Sequence, residues 1–164
     1  MITSPKIANE KVRQEALSFL RSHKTATVAT VSSDGQPHAA VVTCLFDDAF
    51  NIYFFTQRNS RKFENIDKNP HVAFVVGGDE KTLSTIQMEG TAEIIDDPQR
   101  LIINYDSKSI QIIDAPWQPL LKSHDIDFAF LKVTTTWARW MKLNPTESSP
   151  ETYDQEFHEI IARV

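Results

Sequence analysis

The segment Ala39-Ala-Val-Val-Thr-Cys-Leu-Phe46 is apolar on both of its sides. In an extended chain Ala39, Val41, Thr43 and Leu45 point one way, and Ala40, Val42, Cys44 and Phe46 the other. Val72 to Val76 has the same character. An antiparallel sheet with one wet face alternates cleanly between apolar and polar residues. Strands that are apolar on both faces imply a closed barrel, filled inside and covered outside by a helix, a second subunit or a flat ligand. A chain of 164 residues is the right size for one such domain spanning 1–164.

The flanking segments fit that plan. From Asn9 to about His23, Val12, Ala16, Leu17, Phe19 and Leu20 fall near helical spacing, so a helix is expected over 9–23, packed by one face on the barrel. The barrel with its inserted helices is expected over 25–143. Thr25 to Val31, a turn at Ser33-Asp34-Gly35-Gln36 and the strand from Ala39 read as a β-hairpin. Phe50 to Thr56 and His71 to Val76 are expected strands, and Leu83 to Asp96 is a long one with strict alternation. Its residues Ile86, Met88, Gly90, Ala92 and Ile94 face one way. Asp97-Pro98 is expected to open a helical segment reaching about Tyr105, and Asp127 to Val133 to resume as a strand. Tyr153, Phe157, Ile160, Ile161 and Val164 make a helical stripe, so a C-terminal helix is expected over 150–164.

Between two of these strands lies the stretch that carries chemistry. Ile52-Tyr53-Phe54-Phe55 runs into Thr56, and Ser60-Arg61-Lys62 then opens a short helix that stops before Pro70. A helix start has unpaired backbone N–H groups and the positive end of a dipole. A hydroxyl, a guanidinium and an ammonium placed there suit a doubly charged phosphate better than a carboxylate. Taken alone, a capped helix with two solvated basic residues explains the same pattern; the neighbouring strands favour the phosphate.

Composition removes several other classes. The net charge is −5 with no long basic run, which argues against nucleic acid. The single cysteine, Cys44, excludes an internal disulfide framework and sits in an apolar run, as a buried small hydrophobe rather than a nucleophile. His38, His71 and His124 have no ligand-like spacing with Cys44 or with acidic residues, so no metal is expected. No signal-peptide core and no membrane-spanning apolar stretch are seen, giving a cytoplasmic expectation with no membrane partner. Four glycines are too few for a Gly-rich phosphate loop.

Gly35-Gln36-Pro37, the strand through Val42, Phe54-Phe55-Thr56, Ser60-Arg61-Lys62 and Asn69-Pro70 form an ordered series. The series resembles the pyridoxamine 5′-phosphate oxidase-like family of flavin-binding split barrels, over most of Ala26 to Asp96. The resemblance implies a mainly β fold, a six-stranded antiparallel split barrel, paired as a homodimer with FMN at the subunit interface. It places Arg61 and Lys62 on the FMN phosphate with Ser60 beside them, and Phe55 and Thr56 where a strand end touches the cofactor. Val42, Thr43 and Cys44 fall on the strand that runs along the isoalloxazine ring. Thr85 matches a polar flavin contact, with Gln87 its neighbour on the same face; an ordinary exposed strand face would be polar there too.

The sequence also departs from the vitamin oxidases. Ala40 stands where they have an arginine, and Leu45 where they have a lysine for the substrate phosphate. Each missing charge removes a contact worth ~1.5–3 kcal/mol. Lys142-Leu143-Asn144-Pro145 only faintly echoes their C-terminal Arg-Leu-x-Pro run. The implied activity is therefore that of a flavin-dependent reductase moving hydride between a nicotinamide donor, NAD(P)H, and a small-molecule acceptor. The alternatives are a non-catalytic, stress-related flavin-binding protein and a relative that binds haem or the deazaflavin F420. Trp137 and Trp140 read as core or interface aromatics, with flavin stacking as the other option. No catalytic acid or base is singled out.

Overall fold

The computed structural model describes residues 6–78, 84–98, 101–106, 108–111, 127–142 and 157–161. Strand β1 (Lys6–Ile7) precedes helix α1 (Glu10–Ser22), which Asn9 caps by accepting from the Val12 N–H at 3.0 Å. Next come β2 (Thr25–Val31), β3 (Pro37–Phe46), β4 (Ile52–Gln57), α2 (Arg61–Lys68), β5 (His71–Gly77) and β6 (Thr85–Ile95). The chain continues through β7 (Ile102–Tyr105), β8 (Lys108–Gln111), β9 (Phe128–Met141) and β10 (Phe157–Ile161).

Six strands close a barrel in the order β9-β4-β3-β2-β5-β6, with β6 returning to β9, and every pairing is antiparallel. Its filling comes from the inward residue of each alternating pair: Val28, Phe46, Phe54, Phe74 and Met88 are almost wholly buried. Phe54 and Phe74 meet edge to face with centroids 5.7 Å apart. Helix α1 closes one end with Ala16, Leu17 and Leu20. The β2–β3 turn needs Gly35, whose φ is +84°.

Strand β9 has three partners. Its first part, Phe128–Val133, pairs with β4, and Ala138–Met141 pairs with β10, while β6 lies along it from Phe130 to Met141. Opposite Glu89 and Gly90 the register slips, leaving Thr136 as an extra residue on β9. A side chain at Gly90 would run into the Thr134 carbonyl oxygen and come within 2.7 Å of Val133 Cγ1.

Three expectations are corrected. Phe50 lies outside the third strand, at φ 66°, because the Asp47 carboxylate gathers the N–H groups of Ala49 and Asn51 into a tight turn and buries the Phe50 ring. Asp97-Pro98 opens a single turn, with Leu101 N–H donating to Pro98 O, rather than a helix to Tyr105; Ile102–Tyr105 is β7, paired with β8. The C-terminal helix expected over 150–164 is instead strand β10 where it is described. Phe157–Ile161 lines the edge that β9 exposes after leaving β4, so a waiting sheet edge overrides the helical spacing. Tyr153 and Val164 lie outside the described residues.

Cys44 belongs to the barrel filling at 4% exposure, and burial pushes its thiol up to about 12. Its titration and reactivity are thereby moved out of the neutral range. We expect the folded protein to give no reaction with a thiol reagent at pH 8 and one thiol per chain once unfolded. Gly90→Ala is expected to cost about 1–3 kcal/mol through overpacking, read as a lower urea midpoint at unchanged slope.

Candidate functional site

Strands β3 and β4 pair only at Cys44–Phe54, Leu45–Tyr53 and Phe46–Ile52, whereas β3 follows β2 from Pro37 to Thr43. Beyond Cys44 the two part, and β4 continues to Gln57 paired with β9 alone. The Cys44 N–H donates to Lys24 O, toward the β2 side. By the alternation of a strand, the N–H and C=O groups of Val41 and Thr43 therefore face the opened slot. Among the described residues these main-chain donors and acceptors along β3 have no strand partner.

Helix α2 sits at this split. Asn65, 4% exposed, donates from its amide nitrogen to Thr30 Oγ1 and to His38 Nδ1, each at 2.9 Å. Ile66 is buried beside it. This latch to β2 and β3, which sequence reasoning missed, fixes where the helix begins. Its only sequence signal is a polar residue on the helix face that should be apolar.

At the helix start, Ser60 is the N-cap and accepts from the Phe63 N–H at 3.4 Å. Its Oγ lies 3.0 Å from Thr56 Oγ1, and Lys62 Nζ donates to Thr56 Oγ1 at 3.3 Å. Thr56 is buried and Arg61 exposed. Neither Arg61 nor Lys62 is in an ion pair among the described residues, which leaves both charges uncompensated locally. Two hydroxyls, two cations and the first N–H groups of a helix fit the oxygens of a phosphate monoester. The Phe55 ring packs on Phe128 and Phe130 at 5.3 and 6.0 Å.

The residues singled out from the sequence separate into two places. Val42, Thr43, Cys44, Phe55, Thr56, Ser60, Arg61 and Lys62 surround the split, although Val42 and Cys44 turn their side chains inward and their main-chain groups toward β2, so that of these three strand residues Thr43 alone faces the slot. Thr85 and Gln87 do not join them. Gln87 lies across β5 and β2 from Val41, about 14 Å away at roughly 4.8 Å per strand. Its side-chain oxygen accepts from Arg139 Nη2 at 2.9 Å.

Between these two places the outer face of the barrel is bare. Val41 is 71% exposed and Val75 41%, with Ala29, Ala39 and Thr27 around them also exposed. A groove of about 390 Å³ runs along one end of this face, past Ala29, Val31, Pro37, His71, Glu89 and Thr136. None of the residues chosen from the sequence lines it. Among the described residues, no group of His, Cys, Asp or Glu is arranged to hold a metal, and no helix is long and apolar enough to cross a membrane.

Comparison with known proteins follows the same outline. General stress protein 26 of Bacillus subtilis is 36% identical over 70 residues, 43% of this chain and 49% of that one. A 5a,11a-dehydrotetracycline/5a,11a-dehydrooxytetracycline reductase of Streptomyces rimosus is 33% identical over 89 residues, 50% of this chain and 63% of the relative. The chain thus spans less than two thirds of either relative. Two solved structures share the fold: a pyridoxamine 5′-phosphate oxidase-related, FMN binding protein of Nostoc punctiforme and the haem storage protein HutZ of Vibrio cholerae. The first has a TM-score of 0.56 at 18% identity, covering 82% of this chain and 83% of that one. The second has a TM-score of 0.59 at 19% identity, covering 74% and 88%. The family model described as pyridoxamine 5′-phosphate oxidase matches residues 12–142, most of the described barrel, and the chain belongs to that oxidase-like family.

Proposed function

We propose that this protein is an FMN-dependent oxidoreductase working as a homodimer, most simply a reductase that uses a nicotinamide donor. The observation that carries this is the convergence of Thr56, Ser60, Arg61 and Lys62 beside the open main-chain edge of β3. A phosphate-binding corner next to a row of unpaired peptide groups suits a ligand with a phosphate at one end and a flat, hydrogen-bonding ring at the other. When bound, the flavin itself supplies two-electron hydride chemistry, so no catalytic acid or base is required of the chain.

The roles of the residues then follow. Arg61, Lys62 and Ser60 hold the phosphate, with Thr56 bridging the Ser60 hydroxyl and the Lys62 ammonium. The peptide groups of Val41 and Thr43 orient the ring edge, and N–H donors there favour negative charge on the reduced ring. Cys44 keeps its thiol in the barrel interior and takes no part. The bare apolar face with Val41 and Val75 is the surface a second copy covers. Such a copy also explains why Thr85 and Gln87 stand apart from the other site residues. The apolar Ala40 and Leu45 favour a substrate other than a phosphorylated vitamin.

The Streptomyces reductase and the Nostoc FMN binding protein support this reading by name, while the likeness to HutZ keeps haem as the competing ligand. Absorbance of the purified protein separates them: the visible bands of a flavin in a yellow protein against the Soret band of a haem. Replacing Arg61 and Lys62 together by alanine is expected to weaken FMN at least about 100-fold, the sum of two charge-assisted contacts. Unchanged FMN affinity in that variant removes the phosphate assignment. Val41→Glu is expected to leave the barrel's circular dichroism unchanged and to shift sedimentation from dimer to monomer. A wild-type protein that sediments as a monomer overturns the shared site.

A further inference from the structure

Arg139 is held in an unusual setting on the outer face of β9. Its guanidinium lies over the Trp137 ring at 5.5 Å and over the Phe157 ring at 5.0 Å, while one Nη2 proton goes to Gln87. Trp137 is itself fixed by donating from Nε1 to Glu159 Oε1 at 2.8 Å. Two rings and an amide thus flank the guanidinium, and among the described residues its remaining N–H donors have no hydrogen-bond partner. Among the described residues no carboxylate forms an ion pair with it. A rigid, partly exposed cation with a free fork is built to receive an anionic oxygen.

The sheet register says where that anion comes from. Val41, Thr27, Val75, Gln87 and Arg139 form one line across β3, β2, β5, β6 and β9, and Ala39, Ala29, Ala73, Glu89 and Trp137 form the next. Arg139 therefore stands four strands, roughly 19 Å, from the slot of its own subunit. The small apolar residues fill the middle of both lines. A two-fold axis through that middle reverses the line, so the β9 end of one copy meets the β3 end of the other. Arg139 and Gln87 then complete the partner's site and not their own.

Resting on the dimeric, flavin-binding reading above, we infer that Arg139 receives a phosphate of the nicotinamide donor at the partner subunit's flavin site. It provides there the positive charge that Ala40 and Leu45 lack. Gln87 is a positioning residue that aims the guanidinium.

The test uses the full-length protein loaded with FMN and NADP⁺ as the probe, followed by the flavin difference spectrum and so independent of turnover. Arg139→Gln is expected to bind FMN as the wild type does but NADP⁺ at least about tenfold more weakly, with Arg139→Lys in between. Equal NADP⁺ affinity in wild type and Arg139→Gln overturns the inference, as does a yellow wild-type protein with no NADP⁺ response; either result leaves the FMN reading standing. A wild-type protein that takes up no FMN overturns both. A second measurement locates the residue. Subunits carrying Arg139→Gln are co-expressed with subunits carrying Arg61→Ala and Lys62→Ala, and the mixed dimer is isolated by two tags. One FMN per dimer binding NADP⁺ with wild-type affinity is expected. The affinity of Arg139→Gln at that one flavin places Arg139 within its own subunit's site and overturns the exchange.

Discussion

The parting of β3 from β4 beyond Cys44 and Phe54 is the constraint on which the site depends. A closed barrel normally satisfies every main-chain group within its own ladder. Here β4 stays with β9 while β3 stays with β2, and the gap is spanned by a helix instead of a hydrogen-bond ladder. The helix remains in place because Asn65 ties it to Thr30 and His38 and Ile66 packs beneath it. The same docking presents its first turn, with Ser60, Arg61 and Lys62, at the mouth of the gap. The candidate phosphate corner and the fold irregularity are thus one feature.

Most of this was legible in the sequence for particular reasons. The run from Ala39 to Phe46 is apolar on both faces; its inner face is covered, and on the outer face Leu45 is buried while Val41 remains largely exposed. Strict alternation from Thr85 to Ile95 gave a strand, and Asn9 and Ser60 marked two helix starts that the structure places one residue later. The helical segment toward Tyr105 and the C-terminal helix failed where tertiary context outweighed local spacing. Phe157, Ile160 and Ile161 sit at helical intervals, but a vacant edge on β9 takes them as a strand. The candidate site was half legible. The corner at Thr56 to Lys62 is local in sequence and could be read from it. The Asn65 latch and the grouping of Arg139 with Gln87, Trp137 and Phe157 join residues far apart in the chain, and no periodicity announces them.

The outer face lies between the Thr56–Lys62 corner and the Arg139–Gln87 group, the two halves of the proposed shared site. Its rows of small residues, ending in a cationic edge on β9 and an open slot on β3, give the surface a direction. A self-complementary interface requires such a direction, since each patch must find its counterpart under a half turn. The apolar character that first suggested a barrel is explained on the inside by filling, and on the outside by the second copy proposed above.

The three partners of β9 also bear on how the chain reaches its native state. β4 and β6 are made early, yet each finds its second neighbour only when residues 128–141 have left the ribosome. Until then both present unpaired edges beside valine- and phenylalanine-rich strands, the state in which nascent sheets are most prone to stick to one another. The long-range closure sets a slow step that no local contact can hasten. One late strand thus acts as the clasp of the whole barrel.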